Sequence, residues 1–389
     1  MRHCIACRHK LPDQPLFTLE GAPASAQNIP EASQVKEDQG MDLELYQCSF
    51  CGLVQFACDP VNYYRDVIRA GGFSTTMTEL RRSQYRHLIE AYHLEGKKFL
   101  EVGCGRGEFI KVLTEFPVQV FGMEHKEELA ETAGKDGLNV WQEFPETREQ
   151  IFQNGPYDVF LSFNFLEHQP DPDVMLGAIW NNLTEGGMGL VTVPALEYIL
   201  DHGSYYELIR DHLAYYSFGT LRGLLERNGF EVLEEEMINR DTISMIVRKT
   251  EKLGKECDRN QETVSLDVLV EGQKTVLAEM EHLAARLKQE GKTLALWGAS
   301  HQGFTLAATT ALRESACYII DSAPFKQGRF APASHLPIIG PDGYEAHPVD
   351  AVLIVAPGYT DEIAGIIRSR FRPGTEIYCM RTNQVERLN

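Results

Sequence analysis

The segment from Lys98 to Leu113 constrains the fold of this chain more than any other. A short apolar strand, Lys98-Phe-Leu-Glu-Val, runs into glycines at three alternate positions, Gly103, Gly105 and Gly107, and a helix-patterned run, Glu108-Phe-Ile-Lys-Val-Leu, follows at once. Glycines let a backbone turn sharply and approach a ligand closely, and the helix that starts there presents unpaired N–H groups. Strand-like and helix-like segments then alternate: Gln119 to Glu124, Tyr157 to Phe163 and Gly189 to Val193 all read as buried strands. That order predicts β-α-β units and a parallel sheet, an α/β fold. The late segments Phe230-Glu-Val-Leu and Ser244-Met-Ile-Val-Arg read as a closing antiparallel pair.

The chemistry around the glycines narrows the ligand. In a dinucleotide site such a turn cradles a pyrophosphate. Here Glu101 ends the strand, badly placed for a phosphate and suited to the cationic ammonium end of a methionyl group. Glu124 ends the second strand about 20 residues beyond the glycines, where a carboxylate accepts both hydroxyls of a ribose. Gln142 or Glu143, after the third strand, is placed to meet an adenine amino group, and the fourth strand ends at Phe163-Asn164, with Leu166-Glu-His168-Gln-Pro-Asp-Pro172 behind it. A glycine turn alone is a weak signal, common in α/β proteins for turn geometry. The loop, Glu124 and the Leu-Glu-His-x-Pro-Asp-Pro run in this order resemble the class I methyltransferases, whose Rossmann-like seven-stranded sheet binds S-adenosyl-L-methionine. The resemblance implies cofactor contacts at Glu101, Gly103, Gly105, Gly107, Glu124, Glu143 and Asn164.

Charge limits the partners. With 37 basic and 56 acidic residues the formal net charge is -19, which argues against a phosphate-backbone footprint and against anionic membrane surfaces. A small-molecule substrate is expected, with no nucleic acid and no membrane. No apolar run reaches the ~18 residues of a spanning helix, and the start at Met1-Arg-His-Cys does not read as a signal peptide. Nine cysteines in 389 residues do not read as a disulfide framework, and a reducing cytoplasmic setting is expected.

Four of those cysteines form two Cys-x-x-Cys pairs, Cys4 with Cys7 and Cys48 with Cys51. Four thiolates in two such knuckles suit a tetrahedral structural zinc ion with no open coordination position; a redox pair is the alternative. The surrounding segment has too few apolar residues for an independent core, so a metal staple is expected. Cys58, Cys104, Cys257, Cys317 and Cys379 read as ordinary thiols.

The expected organisation is a zinc-binding N-terminal domain over residues 1–60, a methyltransferase domain over 61–250, a helical linker over 251–290 and a C-terminal Rossmann-like α/β domain over 291–389. In the linker Val276, Met280, Leu283 and Leu287 recur at helical spacing and predict a helix packed between domains. In the last domain Thr293-Leu-Ala-Leu-Trp-Gly, Ala316-Cys-Tyr-Ile-Ile-Asp321 and Ala351-Val-Leu-Ile-Val355 predict buried strands.

The run Asp211-His212-Leu-Ala-Tyr215-Tyr216-Ser217 follows the fifth strand, a region that borders the methyl-acceptor site in this fold. Histidine is the usual general base near neutral pH, although a histidine bonded at a domain seam is the blander reading. Together with the cysteine pairs, Trp297-Gly-Ala-Ser-His-Gln-Gly303 and Asp321-Ser-Ala-Pro-Phe-Lys-Gln-Gly-Arg329, this run resembles the deoxysugar C-methyltransferases that act on nucleotide-linked 4-keto sugars, over nearly the whole chain. Their signatures read Glu-His-Leu-Ser-Tyr-Phe-Ser, Tyr-Gly-Ala-x-x-Lys-Gly and Asp-x-x-Pro-x-Lys-Gln-Gly-Arg.

The resemblance implies that His212 removes the proton alpha to a ketone, that Asp211 orients or tunes the imidazole, that Tyr215 and Tyr216 line the sugar pocket, and that Lys326 and Arg329 meet the nucleotide phosphates in the C-terminal domain. Core packing for a tyrosine and a solvated turn for the cations are the alternatives. Several positions depart from the family pattern. Ile209 stands where a tyrosine precedes the base, Asp211 replaces glutamate, Gln302 replaces lysine, Ala356-Pro-Gly replaces a Trp-Asn pair, and an early tyrosine–serine segment matches poorly at Gly71-Gly-Phe-Ser74. All lie toward the acceptor. O- or N-methylation of another polar metabolite is therefore the rival enzymatic reading, and a zinc-stapled, S-adenosylmethionine-binding scaffold the non-enzymatic one.

Overall fold

The computed structural model describes residues 2–66, 75–251 and 264–389. The Gly71–Ser74 segment and Cys257 lie outside the described residues.

The central sheet has seven strands in the order Phe230–Ile238, Thr242–Lys249, Leu183–Pro194, Tyr157–Phe163, Lys98–Val102, Gln119–Glu124 and Val140–Gln142. The last five are mutually parallel. Thr242–Lys249 inserts antiparallel between Leu183–Pro194 and Phe230–Ile238, as the closing pair predicted. This is the Rossmann-like α/β sheet of class I methyltransferases. Its strands are apolar because both faces are covered. Leu100, Val102 and Phe160 pack on one side, while Phe99, Val159 and Leu161 pack on the other, the period of two expected for a strand. Chain order reverses across Lys98–Val102, so a ligand crevice opens beyond the carboxyl ends of this strand and its neighbours.

A second sheet, in the C-terminal region, runs Ile338–Ile339, Ala316–Ile320, Leu294–Trp297, Ala351–Ile354, Glu376–Met380 and Val385–Arg387. It is parallel except for the last strand. Helix His301–Thr309 starts directly after the Gly298 turn, capped by Ser300, whose side chain accepts from the Gly303 N–H. Gly303 has no room for a side chain, because a Cβ there would lie 2.0 Å from the Gly298 carbonyl oxygen.

The third sheet differs from the separate N-terminal unit expected from sequence. Phe17–Ala22, Met41–Gln47 and Val54–Phe56 form an antiparallel meander, and its fourth strand is Ala214–Tyr215, from the middle of the chain. Two ladder pairs, Val54 with Tyr215 and Gln55 with Ala214, fix that addition. The physical cause is shared burial: Val54, Phe56 and Tyr215 lie in one core with Leu196, Tyr205 and Leu208. The predicted linker helix is Asp267–Gln289; Val276, Met280, Leu283 and Leu287 are all buried in this same core, beside Leu294 and Leu312 of the C-terminal region. Each such side chain contributes about 1.5–3 kcal/mol when fully buried. The described helices include none long and apolar enough to cross a membrane.

Candidate functional site

The glycine turn takes a form only glycine adopts cheaply. Gly103, Gly105 and Gly107 have φ of 72°, 60° and 80°, left-handed values that strain a residue with a Cβ. The alternate glycines thus follow from backbone geometry. Gly107 enters helix Glu108–Leu113. Glu124 is fully buried at the carboxyl end of the adjacent strand, where Oε2 accepts the Gly105 N–H at 2.9 Å and Oε1 the Lys126 N–H at 3.1 Å. Glu101, also buried, is the penultimate residue of the strand that feeds the loop. The two carboxylates and the left-handed loop therefore share one edge of the central sheet.

Glu143 stands on the same edge, but its carboxylate is engaged locally: Trp141 Nε1 donates to it at 2.5 Å and Gln150 Nε2 at 3.2 Å. Gln142 donates to the His125 carbonyl at 3.1 Å. Asn164 is exposed at the end of Tyr157–Phe163 with φ 47°, and its Oδ1 accepts from Thr192 Oγ1 at 2.8 Å. The Asp171-Pro172 pair that follows is a helix start: Asp171 caps Pro172–Asn181 by accepting from the Val174 N–H, with proline at the first turn.

The four cysteines come together. Cys4 Sγ lies 3.5 Å from Cys51 Sγ and Cys7 Sγ 3.4 Å from Cys48 Sγ, and all four sulfurs fall within 4.8 Å of one another. A tetrahedron of sulfurs around zinc at ~2.3 Å has edges of about 3.8 Å. The donor set is compatible with that ion.

The 205–217 segment, expected to border the acceptor, is fixed from two sides. Ser217 caps helix Phe218–Arg227 in a reciprocal box with Thr220, and Ala214–Tyr215 joins the N-terminal sheet. His212 sits between these fixtures, with its N–H on the Ile209 carbonyl at 3.0 Å. Its ring meets the His168 ring edge-on at 4.8 Å between centroids. Desolvation, then the nearby His168 and His301, hold the His212 imidazole well below its usual pKa. The neutral form of the ring is thereby favoured.

His168, which sequence reasoning passed over, is the neighbour the structure adds. Its Nδ1–H donates to the Asp211 carbonyl at 2.6 Å, and burial lowers its pKa. Its place in the Leu-Glu-His run at the end of the fourth strand was the available signal. Glu167 beside it is fully buried, accepts no side-chain hydrogen bond among the described residues, and is pushed up to about 8 by desolvation.

Asp211 does not face the His212 ring as expected. Its carboxylate accepts the Tyr63 hydroxyl at 2.7 Å and the Ala26 N–H at 3.0 Å, both from the N-terminal region. Tyr215 is equally committed: its hydroxyl accepts the Ile209 N–H at 2.8 Å and donates to the Ile209 carbonyl at 3.2 Å. This explains how the run folds back on itself. Tyr216 is buried, and its hydroxyl has no hydrogen bond among the described residues.

In the C-terminal region Lys326 Nζ donates to the Ala299 carbonyl at 2.8 Å and to Asp321 at 3.3 Å, beside the Gly298 turn. Arg329 is tied across to the N-terminal region, through the Ile29 carbonyl at 3.0 Å and Glu31 at 3.0 Å. Gln302 donates to Glu207 at 2.5 Å, and His301 meets the other oxygen of that carboxylate at 2.9 Å. Burial opposes the charge on His301, but the Glu207 hydrogen bond together with the Glu207 and Asp211 charges raises the pKa. A small cleft at this junction is lined by Ala22, Ala26, Ile209, Arg210, His301 and Phe304.

A family model described as a methyltransferase domain matches residues 77–235, and one described as a C-methyltransferase C-terminal domain matches residues 244–379. The C-methyltransferase NovU of Streptomyces niveus is 24% identical over 290 residues, covering 69% of this chain and 68% of that protein. The ubiquinone biosynthesis O-methyltransferase of Caulobacter sp. (strain K31) is 30% identical over 103 residues, 25% of this chain and 40% of that one. Among solved structures, magnesium protoporphyrin IX methyltransferase from Synechocystis PCC 6803 aligns with a TM-score of 0.37 and 15% identity, over 48% of this chain and 91% of that one.

Proposed function

We propose that this chain is an S-adenosylmethionine-dependent C-methyltransferase and that it methylates a carbon alpha to the ketone of a nucleotide-linked keto sugar, with His212 as general base. The observation that carries the reading is the neutral, desolvated His212 imidazole packed against His168 at the acceptor edge of the cofactor sheet.

The cofactor-side residues fit their ligand. Glu124, locked by two backbone donors, takes the ribose hydroxyls; Glu101 takes the methionyl ammonium; the glycine turn admits the chain between them; Glu143 and Asn164 border the adenine side. S-adenosylmethionine supplies an electrophilic methyl, and its sulfur keeps the electron pair of the S–C bond when that methyl leaves.

On the acceptor, His212 accepts the proton alpha to the ketone. The C–H pair becomes the enolate π bond, and negative charge develops on the ketone oxygen. The enolate carbon forms the new C–C bond and the ketone returns. The imidazolium then passes its proton to solvent. Carbon is not nucleophilic until this proton is gone, so deprotonation precedes transfer, and holding the two reactants together supplies much of the rate. Tyr216 and the His301–Gln302–Glu207 group border the sugar, while Lys326 and Arg329 would need to exchange their present bonds to meet a diphosphate. Cys4, Cys7, Cys48 and Cys51 would hold a zinc ion in a purely structural role.

Replacing His212 with alanine tests the role. The variant should bind S-adenosylhomocysteine as the parent does and lose methyl transfer; near-normal turnover would remove His212 as the base.

A further inference from the structure

We propose that Tyr63 is a positioning residue for methyl transfer: its hydroxyl fixes Asp211, and through the Asp211 carbonyl the His168 ring, against His212. The inference rests on the reading of His212 as base and extends it to the N-terminal region.

The network is complete in its donors and acceptors. The Tyr63 hydroxyl donates to Asp211 Oδ1 at 2.7 Å. Its oxygen accepts from Ser25 Oγ at 2.7 Å and from the Gln27 N–H at 3.2 Å. Ser25 Oγ accepts in turn from the Asn28 N–H at 2.8 Å. Asp211 Oδ2 takes the Ala26 N–H at 3.0 Å. Both oxygens of one carboxylate are thereby held by the N-terminal region, while the backbone carbonyl of the same residue holds His168 Nδ1–H at 2.6 Å.

The residues around His212 are anchored the same way. Arg210 donates to the carbonyls of Ala24 at 3.1 Å and Asp59 at 3.2 Å, and the Phe56 N–H donates to the Leu213 carbonyl at 3.0 Å. Residues 210, 211 and 213 are thus tied to one body, and His212 keeps little beyond its side-chain torsions. A catalytic group must sit within about 0.5 Å of its working place, and a 1 Å error can lower the rate about 100-fold. Burial, with the Asp211 charge adding to it, raises the Tyr63 pKa, so the phenol stays a donor across the working pH range.

The test compares Tyr63→Phe, Asp211→Asn, the double variant and His212→Ala. Turnover is measured with a nucleoside diphosphate 4-keto-6-deoxyhexose, and histidine ring resonances are read by 15N NMR with S-adenosylhomocysteine alone. Tyr63→Phe removes one oxygen and should keep cofactor affinity within twofold. We expect turnover to fall about tenfold in kcat with KM little changed, His168 and His212 resonances to move, and the double variant to be no worse than Asp211→Asn alone. Turnover within twofold of the parent, or fully additive losses with unmoved histidine resonances, would overturn the proposal. Loss in Tyr63→Phe beside an active His212→Ala would instead overturn the base assignment, and the ring resonances, which need no acceptor, would still decide the contact.

Discussion

Replacing Glu124 with glutamine changes the chemistry of one buried group and almost nothing of its shape. The native carboxylate only accepts, and it meets two donors, the N–H groups of Gly105 and Lys126. The amide turns one accepting oxygen into an NH2 group, so one backbone donor must face another donor. A buried unsatisfied donor costs about 1–3 kcal/mol, which for a domain of this size lowers Tm by roughly 2–4 °C for each kcal/mol. The same change removes a charged acceptor from the ribose hydroxyls, where one hydrogen bond to a charged group is worth about 1.5–3 kcal/mol. S-adenosylhomocysteine should therefore bind about 1.5–3 kcal/mol more weakly, roughly 10- to 140-fold in Kd. Titration calorimetry on protein whose circular dichroism matches the parent reads this directly. A Kd within threefold of the parent, with Tm unchanged, would refute the assignment of Glu124 as the ribose acceptor.

The cysteine cluster should hold about one zinc per chain, by elemental analysis of the native protein, and Cys48→Ser should lose both the metal and thermal stability; full stability after metal removal by a chelator would exclude a structural role. Glu167 is buried and pushed up to about 8, so the folded state keeps a proton that the unfolded chain has released. Stability from this group falls as pH rises from the ordinary carboxylate range through about 8, and Glu167→Gln should flatten that fall in a series of Tm measurements across pH. The lowered His212 and His168 work in the opposite direction. Their folded states stay neutral while the unfolded chain protonates below about pH 6.5, so stability declines on acidification from there, and replacing His212 with asparagine should reduce that acid sensitivity.

The cofactor edge was legible because its demands are local. Left-handed φ at Gly103, Gly105 and Gly107 selects glycine at those positions, and strand periodicity placed Glu101 and Glu124 at neighbouring strand ends. The cysteine knuckles were legible for the same reason: metal spacing is written over four residues. The histidine segment depends on contacts between residues about 150 to 185 positions apart, such as Tyr63 and Ala26 with Asp211. No local pattern announces that Ala214–Tyr215 will join the N-terminal sheet, so an acid beside a histidine in sequence looked like its orienting partner. In the fold the side chain turns to Tyr63 and Ala26, and the backbone carbonyl accepts from His168. Lys326 and Arg329 looked like free cations in a turn motif, whereas tertiary carbonyls and carboxylates occupy both.

Carbon methylation by way of an enolate has one direct readout. In heavy water, with S-adenosylhomocysteine in place of the methyl donor, the native protein should exchange the proton alpha to the ketone of a nucleotide-linked keto sugar, and His212→Ala should not. With 13C-methyl S-adenosylmethionine the label should then appear on that carbon. Label on oxygen or nitrogen, with no exchange beside the ketone, would contradict the account.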